Sequence, residues 1–327
     1  MGKTSIEWST HVWNPTTGCD RVSPGCDHCY AMTLAKRLKA MGSPGYQNDG
    51  DPRTSGPGFA LTLHPDRLDQ PLRWTKPRRI FVNSMSDLFH VDVPDVFRLD
   101  IWQVMAAAPQ HVYQILTKRP QAMARFCRRL SWVMPPETNV TTGEPYLGED
   151  PITCTRFRGR VLDACEEPLD QVWLGTSIES DRYTFRADHL RATPAAVRFL
   201  SLEPLLGPLP SLDLTGIDWV IVGGESGQGA RPMHPQWARD IRDRCNAAGV
   251  AFLFKQNGAW VNRNDGPPSP GEAIWMHTDG RTGTNWSAPS TEPGWEAMFR
   301  MGKHQAGRLL DGRTWDEYPG ERHEGDR

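Results

Sequence analysis

Short runs of apolar residues alternate with polar stretches along most of the chain. From residue 79 onward these runs lie at 79–82, 112–116, 172–175, 197–200, 219–222 and 250–254. Continuous apolar runs are typical of parallel strands that are buried on both faces of a sheet. We expect a further, first strand within residues 7–14. The pattern therefore predicts about seven parallel strands.

The segments between the runs have the spacing of amphipathic helices. Residues 94–107 carry apolar side chains at helical intervals, and residues 235–247 begin with a proline suited to the first position of a helix. The strand-to-strand repeat is roughly 20 to 35 residues, which suits βα units. We predict an α/β fold, a (β/α) TIM-type barrel that is complete or partial.

Two regions depart from this repeat. The segment at about 131–170 is rich in Pro, Gly, Thr and acidic residues, which indicates an insertion in the barrel. After residue 258 the repeat stops, and Gly, Pro and isolated Trp residues dominate. The sequence thus predicts a barrel domain over 1–258, followed by an irregular appendage with a charged, frayed tail over 259–327.

Composition and charge narrow the class of protein. The formal net charge of the 327 residues is −2, so the chain as a whole has no excess of positive charge with which to attract nucleic acid or an anionic membrane. It contains no apolar run long enough to span a bilayer, and its first residues lack the apolar core of a secretory signal. We therefore expect a cytoplasmic protein that does not contact a membrane. In that reducing compartment, seven cysteines favour metal or thiol chemistry over disulfides.

Three of the cysteines form a cluster with the spacing C-x6-C-x2-C, at Cys19, Cys26 and Cys29. Thiolates bind zinc and iron–sulfur clusters, and three ligands leave one coordination position open, as a catalytic centre requires. A closed zinc site would need a fourth ligand, which His11, His28 or a distant cysteine could supply. Both metals stay open at this point. The remaining cysteines are expected to be small buried side chains: Cys127, Cys154, Cys165 and Cys245.

Nearly every predicted strand ends in polar or ionisable residues. In βα barrels the carboxyl ends of the strands meet on one face and form the active site, so these side chains are expected to converge. They include Asn83, Ser84, Ser86 and Asp87, then Lys118, Ser177, Glu203 and Glu225. We predict Lys118, Glu203 and Glu225 as the catalytic residues. The glycine-rich segment 223–229 indicates either a phosphate cradle or tight backbone packing.

The cysteine cluster after a first barrel strand resembles the radical S-adenosylmethionine superfamily, although that superfamily usually spaces its cysteines C-x3-C-x2-C. More closely, the chain resembles an uncharacterised phage and bacterial three-cysteine-motif family, of the DUF5131 type, over roughly residues 4–260. The resemblance lies in the segments 13–15, 23–31, 81–89, 116–120, 201–205, 223–226 and 254–256. It implies a phage-encoded protein in the host cytoplasm.

The resemblance also implies roles for individual residues. Cys19, Cys26 and Cys29 would hold a [4Fe-4S] cluster whose open iron binds S-adenosylmethionine, and reduction would yield a 5′-deoxyadenosyl radical. An electron donor is then required. His28 would lie near the adenine. The methionine moiety and ribose of the cofactor would contact the remaining predicted cofactor-binding residues, which are Asn83, Ser84, Ser86, Asp87 and Ser177.

Basic and aromatic residues suggest the substrate class. Lys118 and Arg119 begin a basic segment that extends to residue 129 without an acidic residue, and tryptophans in the appendage would be available for stacking on bases. A nucleotide or nucleic acid is therefore the expected substrate. Two alternatives remain: a zinc-stabilised nucleic-acid-binding or partner protein without catalysis, and a barrel hydrolase that uses Asp87, Glu203 and Glu225 as acid–base groups.

Overall fold

Parallel strands follow the predicted apolar runs in the computed structural model, which describes residues 3–130, 168–262, 273–283 and 292–320. In chain order the first nine strands are β1 (His11–Trp13), β2 (Thr16–Thr17), β3 (Thr62–Leu63), β4 (Arg79–Val82), β5 (Val112–Thr117), β6 (Val172–Ser177), β7 (Val197–Leu202), β8 (Trp219–Gly223) and β9 (Ala251–Gln256). Short β2 and β3 pair with each other in an antiparallel ladder. The other seven form one sheet in the order β1-β4-β5-β6-β7-β8-β9.

Consecutive strands are neighbours in this sheet, as the strand-to-strand repeat predicts. The helices between them are α1 (Tyr30–Ala40), α2 (Asp95–Ala107), α3 (Pro120–Leu130), α4 (Phe185–Arg191) and α5 (Pro235–Ala248). The α/β class and the partial βα barrel are thereby confirmed. One connection differs from the βα pattern: residues 203–218, between β7 and β8, contain no helix.

The apolar runs explain why the strands are buried in the core. All five residues of β8 are buried, and Val220 lies between Leu200 of β7 and Phe252 of β9 in the sheet register. These side chains are shielded on both faces, as expected for strands without polar alternation. The polar residues resume only where each strand ends, which leaves the ionisable groups at the carboxyl ends.

The chain divides into two compact units. The first comprises residues 1–21, 34–176 and 188–198, and the second comprises 22–33, 177–187 and 199–327. Cys19 belongs to the first unit, whereas Cys26 and Cys29 belong to the second. The predicted domain division at residue 258 stays a prediction. The predicted insertion lies outside the described residues over 131–167.

The described part of the C-terminal region is more regular than the sequence indicates. Four strands, β10 (Trp260–Asn262), β11 (Ala273–His277), β12 (Thr282–Gly283) and β13 (Trp295–Arg300), form an antiparallel sheet in the order β10-β13-β11-β12, and a short helix α6 (Lys303–Ala306) follows. The segment after α6 then lies along β9, where the Phe254 N–H donates to the Trp315 carbonyl at 3.0 Å. The described residues 301–320 are therefore part of the fold rather than a frayed tail.

Two tryptophans expected to be available for stacking are buried. Trp260 is 4% exposed, and its indole N–H donates to the carbonyl of Ala230. Trp315 is 8% exposed and packs edge-on against Phe252. The expectation of exposed stacking residues is wrong at these two positions, because both indoles complete the core of the second unit. No helix of the described residues is long and apolar enough to cross a membrane.

Trp315 gives a direct test of the role of the C-terminal segment. Replacing it in Trp315→Ala removes a buried indole and should lower the free energy of unfolding by about 3 kcal/mol. Urea denaturation followed by circular dichroism measures the change. Met41→Ala is the control, since Met41 is 78% exposed and its truncation should cost little. Equal stabilities of the two variants would contradict this packing role.

His234 gives the fold a pH dependence that can be measured. Its Nδ1 accepts the Gln236 N–H at the start of α5, and burial lowers its pKa from 6.5 to about 4. Below pH 6.5 the unfolded chain therefore binds a proton that the folded chain does not, so stability is lost as the pH falls from 6.5 towards 4. By this linkage the loss at pH 5 is about 2 kcal/mol.

The variant His234→Asn keeps a side-chain acceptor at the helix start but has no titrating ring. We expect the difference in unfolding free energy between pH 7.5 and pH 5 to shrink by about 2 kcal/mol relative to the unmutated chain. His304→Asn, at an exposed position, should leave that difference unchanged. An undiminished pH dependence in His234→Asn would refute the assignment.

Candidate functional site

The three clustered cysteines differ from the other described cysteines in their exposure. Cys19, Cys26 and Cys29 are free thiols of intermediate exposure, whereas Cys127 and Cys245 are buried. Burial raises the pKa of both buried thiols to about 12, which makes them unreactive. The prediction that these two are buried core side chains is confirmed. The corresponding predictions for Cys154 and Cys165 fall outside the described residues.

Local sequence explains why the cysteine loop can turn tightly before α1. Gly18 has a φ of +87°, and a Cβ at this position would lie 2.1 Å from the carbonyl oxygen of Ala60. Only glycine fits this close approach of two backbones. Pro24 then begins the 3-10 turn Pro24–Cys26, because the φ of proline is fixed at a value that suits the start of a helix. The Cys29 N–H donates to the Cys26 carbonyl at 3.2 Å.

In the first unit, an arginine contacts the Cys19 sulfur. Nη1 of Arg119 lies 3.3 Å from Cys19 Sγ and 2.9 Å from Asp87 Oδ2, and its Nη2 donates to the carbonyl of Asp20. Burial lowers the pKa of the Arg119 guanidinium, but the negative charge of Asp87 and the sulfur of Cys19 outweigh it and raise that pKa. Arg119 therefore stays charged and places a positive charge beside the Cys19 sulfur.

Asp87 holds this arginine in place. It is 5% exposed and accepts four hydrogen bonds: Thr117 Oγ1 and the Phe89 N–H donate to Oδ1, and the Lys118 N–H and Arg119 donate to Oδ2. A buried carboxylate with this many donors is fully paired. Asp87 is therefore a positioning residue for Arg119 and, through it, for Cys19.

The residue after Cys19 is anchored as well. Asp20 accepts hydrogen bonds from Thr54 and Ser55 through Oδ1, and its Oδ2 lies 2.8 Å from Nε2 of the buried His90. Burial opposes ionisation of Asp20, but the hydrogen bonds from Thr54, His90 and Ser55 outweigh it and lower the pKa of that carboxyl. The carboxylate thus fixes the first half of the cysteine loop to neighbouring segments.

Two further carboxylate–arginine pairs, both in the second unit, fix the second half of the loop. Glu179 and Arg186 are both buried and lie 3.0 Å apart, and Glu179 Oε1 accepts the Gly25 N–H at 3.5 Å. Arg231 donates to Glu225 from its main-chain N–H, Nε and Nη2, and it also donates to the Pro24 carbonyl at 2.8 Å. These pairs hold the turn that carries Cys26.

The predicted catalytic residues have three different surroundings. Glu225 is 6% exposed and accepts hydrogen bonds from Arg231, which in turn contacts Pro24, so Glu225 helps to position the loop. Glu203 is bound by Lys255 and Gln256, with the Lys255 Nζ at 2.8 and 2.9 Å from its two oxygens. Lys118 is half-buried, and its ammonium has no hydrogen-bond or ion-pair partner among the described residues. Glu203 and Glu225 lie in the second unit and Lys118 in the first.

The residues predicted to bind a cofactor are also divided between the units. In the first unit, Ser86 Oγ lies 2.7 Å from Thr16 Oγ1, and Ser84 exchanges hydrogen bonds with Asn14. In the second unit, Ser177 is buried and its carbonyl accepts a hydrogen bond from Arg186. His28, also in the second unit, is exposed.

Asn83 is unusual among these predicted residues. It adopts a φ of +62°, it is 2% exposed, and neither its Oδ1 nor its Nδ2 has a hydrogen-bond partner among the described residues. Left-handed backbone and an unpaired buried amide both cost free energy, and such strain concentrates at functional sites. This observation supports the prediction that the end of β4 takes part in binding.

Sequence reasoning missed the partners that hold these groups. Arg119 was visible as part of a basic segment at a strand end, but its contact with Cys19 depends on the folded sheet. Asp20, His90, Arg186 and Arg231 carry no motif of their own, since isolated charged residues are usually solvated. The only available signal was that Asp20 directly follows a predicted metal ligand.

The fit of the cysteines to a metal centre rests on donor chemistry. Three free thiols of intermediate exposure lie on one short loop, one of them beside a guanidinium, and thiolates are the ligands that zinc and iron–sulfur clusters take. Within the part of the chain that the structure describes, no group of three or more His, Cys, Asp or Glu side chains is arranged around a common metal position. The three-cysteine ligand set therefore stays a prediction.

The importance of Asp87 can be tested through stability. Asp87→Asn removes a buried charge and leaves Arg119 without its counter-ion, so we expect a loss of about 3 to 5 kcal/mol in unfolding free energy. The matched control is Asp51→Asn, which breaks the exposed pair with Arg53 and should cost less than about 1 kcal/mol. Chemical denaturation at pH 7.5 compares the two. A loss no larger than that of the control would show that the buried pair is dispensable.

Comparisons with known proteins give a family and two structures. Spore photoproduct lyase complexed with dinucleoside spore photoproduct is 11% identical, with a TM-score of 0.38, over 94% of this chain and 72% of that chain. A point mutant of spore photoproduct lyase gives a TM-score of 0.40 at the same identity and coverage. A search of curated proteins found no match. The model of one family, described as a protein of unknown function (DUF5131), matches residues 3–319, and the chain therefore belongs to that family.

Proposed function

We propose that this protein is a radical-SAM-like iron–sulfur enzyme that acts on a nucleotide or nucleic acid in the host cytoplasm. One observation carries the proposal: the buried Asp87–Arg119 pair directs a guanidinium at the sulfur of Cys19, on a loop that holds three thiols of intermediate exposure. A cysteine that serves only as a core side chain needs neither exposure nor a cationic neighbour. Cys127 and Cys245 lack this exposure, and burial raises the pKa of both thiols.

In this proposal Cys19, Cys26 and Cys29 hold the cluster. A [4Fe-4S] cluster with three cysteine ligands supplies an open iron for S-adenosylmethionine and the electron that cleaves it. Arg119 offsets the negative charge of the Cys19 sulfur by donating to it at 3.3 Å. Hydrogen bonds to sulfur of this kind tune the reduction potential of iron–sulfur centres. Glu179 and Arg231 hold the loop by their contacts with its backbone at Gly25 and Pro24, and Asp20 within the loop is held by His90.

Support for a nucleotide or nucleic acid comes from charge at the strand ends. Lys118 follows β5 directly, and its ammonium has no partner in the described residues. A lysine of this kind can bind a phosphate as a point charge. Asn83, with its unpaired buried amide, supports cofactor binding after β4. The proposal also requires an electron-donor protein, because the cleavage consumes one electron.

Anaerobic purification tests the function. We expect a brown protein with about four irons per chain that forms 5′-deoxyadenosine from S-adenosylmethionine and dithionite. Iron analysis, electron paramagnetic resonance of the reduced sample and product chromatography are the measurements. Each of Cys19→Ala, Cys26→Ala and Cys29→Ala should lose the cluster signal and the product. Cys127→Ala is the matched control and should keep both.

Other results would contradict the proposal. One zinc per chain with no 5′-deoxyadenosine would favour a zinc-stabilised binding protein. Full iron content in the three cysteine variants would show that other residues hold the metal. Unchanged turnover of these variants in a metal-independent hydrolysis would favour a hydrolase that uses Asp87, Glu203 and Glu225.

A further inference from the structure

A second group of polar side chains lies at the carboxyl ends of β7 and β9, entirely within the second unit. The ammonium of Lys255 donates to both oxygens of Glu203, at 2.9 and 2.8 Å, and the side-chain amide of Gln256 donates to Glu203 Oε1 at 2.8 Å. The absent side chain of Gly223 leaves room for this carboxylate, since a Cβ there would lie 3.2 Å from Glu203 Oε1. Three functional groups thus meet at one point.

An irregularity in β9 brings Lys255 and Gln256 to the same carboxylate. Val222 pairs with Phe254, but the next residue, Gly223, pairs with Gln256, so Lys255 is an extra residue in the strand. Successive side chains of a regular strand point to opposite faces, and Lys255 and Gln256 could not then share a partner. The bulge allows both to reach Glu203. Bulges of this kind re-aim side chains and are over-represented beside active sites.

The side chain of Gln256 has a fixed orientation in this cluster. Its Oε1 is buried and has no hydrogen-bond partner among the described residues, while its Nε2 faces two acceptors, Glu203 Oε1 and the Gly224 carbonyl. Rotating the amide by 180° would place an oxygen against both acceptors, so the orientation is fixed. An unpaired buried acceptor costs free energy, so the amide keeps its orientation towards Glu203 at that cost.

The charge of the cluster limits what it can bind. Glu203 and Lys255 carry opposite charges and cancel, so the site has no net attraction for phosphate. An ammonium has three donor hydrogens, of which two are directed at Glu203, and a carboxylate oxygen can accept more than one hydrogen bond. Both groups are partly accessible, with side-chain exposures of 18% for Glu203 and 15% for Lys255. The site therefore offers one donor and one acceptor side by side.

We propose that Glu203 and Lys255 bind a neutral planar amide edge, such as that of a nucleobase, with its carbonyl accepting from Lys255 and its N–H donating to Glu203. Gln256 is a positioning residue, because its amide binds Oε1 and so leaves Oε2 with Lys255 as its only hydrogen-bond donor among the described residues. The inference rests on the proposed function in one respect, since it names the part of a nucleotide substrate that this end of the sheet recognises. It requires no metal centre.

Uridine is the probe, because it presents an imide N–H between two carbonyls and carries no phosphate. Calorimetric titration of the full chain, purified in air without a cluster, should show saturable binding. The analogue 3-methyluridine has no imide N–H and should bind at least tenfold more weakly. Lys255→Met and Glu203→Gln should each weaken uridine binding by about tenfold, which corresponds to 1.4 kcal/mol. Lys36→Met, at an exposed lysine, should bind like the unmutated chain.

Folding of each variant is checked by circular dichroism, and Gln256→Leu provides a further variant if Glu203→Gln does not fold. Gln256→Leu should weaken uridine binding while the preference over 3-methyluridine falls. Absence of saturable uridine binding, equal affinity for 3-methyluridine, or equal affinity in the folded Lys255→Met variant would each overturn the assignment. Uridine binding is measured without the cluster, so it can be observed even if no 5′-deoxyadenosine forms. Conversely, 5′-deoxyadenosine can form even if uridine does not bind, and the failures of the two proposals are therefore distinguishable.

Discussion

The cysteine loop of this protein keeps its shape because buried carboxylates hold arginines against it. The strongest case is Asp87, whose two oxygens accept four hydrogen bonds and which directs Arg119 at Cys19. A charge buried to this depth is tolerable only with a complete set of partners. The requirement fixes the ends of β4 and β5 relative to each other. In the first unit this pair acts beside a second anchor, the contacts of Asp20 with Thr54, Ser55 and His90.

The acidic residues at the strand ends therefore belong to two classes. Glu179 and Glu225 each accept from an arginine and thereby support the backbone near Gly25 and Pro24. Glu203 is bound by Lys255 instead and contacts no part of the cysteine loop in the hydrogen bonds of the described residues. A hydrolase that uses Asp87, Glu203 and Glu225 as acid–base groups would require Asp87 and Glu225 to release the arginines that they hold.

The parts of the fold that depend on local pattern were predictable, and the parts that depend on distant partners were not. Each apolar run became a strand because burial on both faces requires continuous hydrophobicity, and α5 begins at Pro235 as expected for a proline at a helix start. The positions of the polar strand ends followed from the same pattern. The roles of Arg119 and Arg231 did not, since each depends on which acidic residue the folded sheet brings near. The antiparallel sheet was missed because its strands are short and are interrupted by glycine and proline.

The C-terminal segment beside β9 has a consequence for how the sheet is completed. β9 is the last strand in the order of the parallel sheet, and its outer backbone groups are satisfied by the Trp315 carbonyl and the Glu317 N–H, which add an antiparallel neighbour. An uncovered strand edge can pair with another chain and start aggregation. During synthesis, β9 leaves the ribosome well before Trp315 does. The newly made protein therefore passes through an interval in which the edge of β9 is unpaired and can bind another chain. Shortening that interval would favour correct folding over self-association.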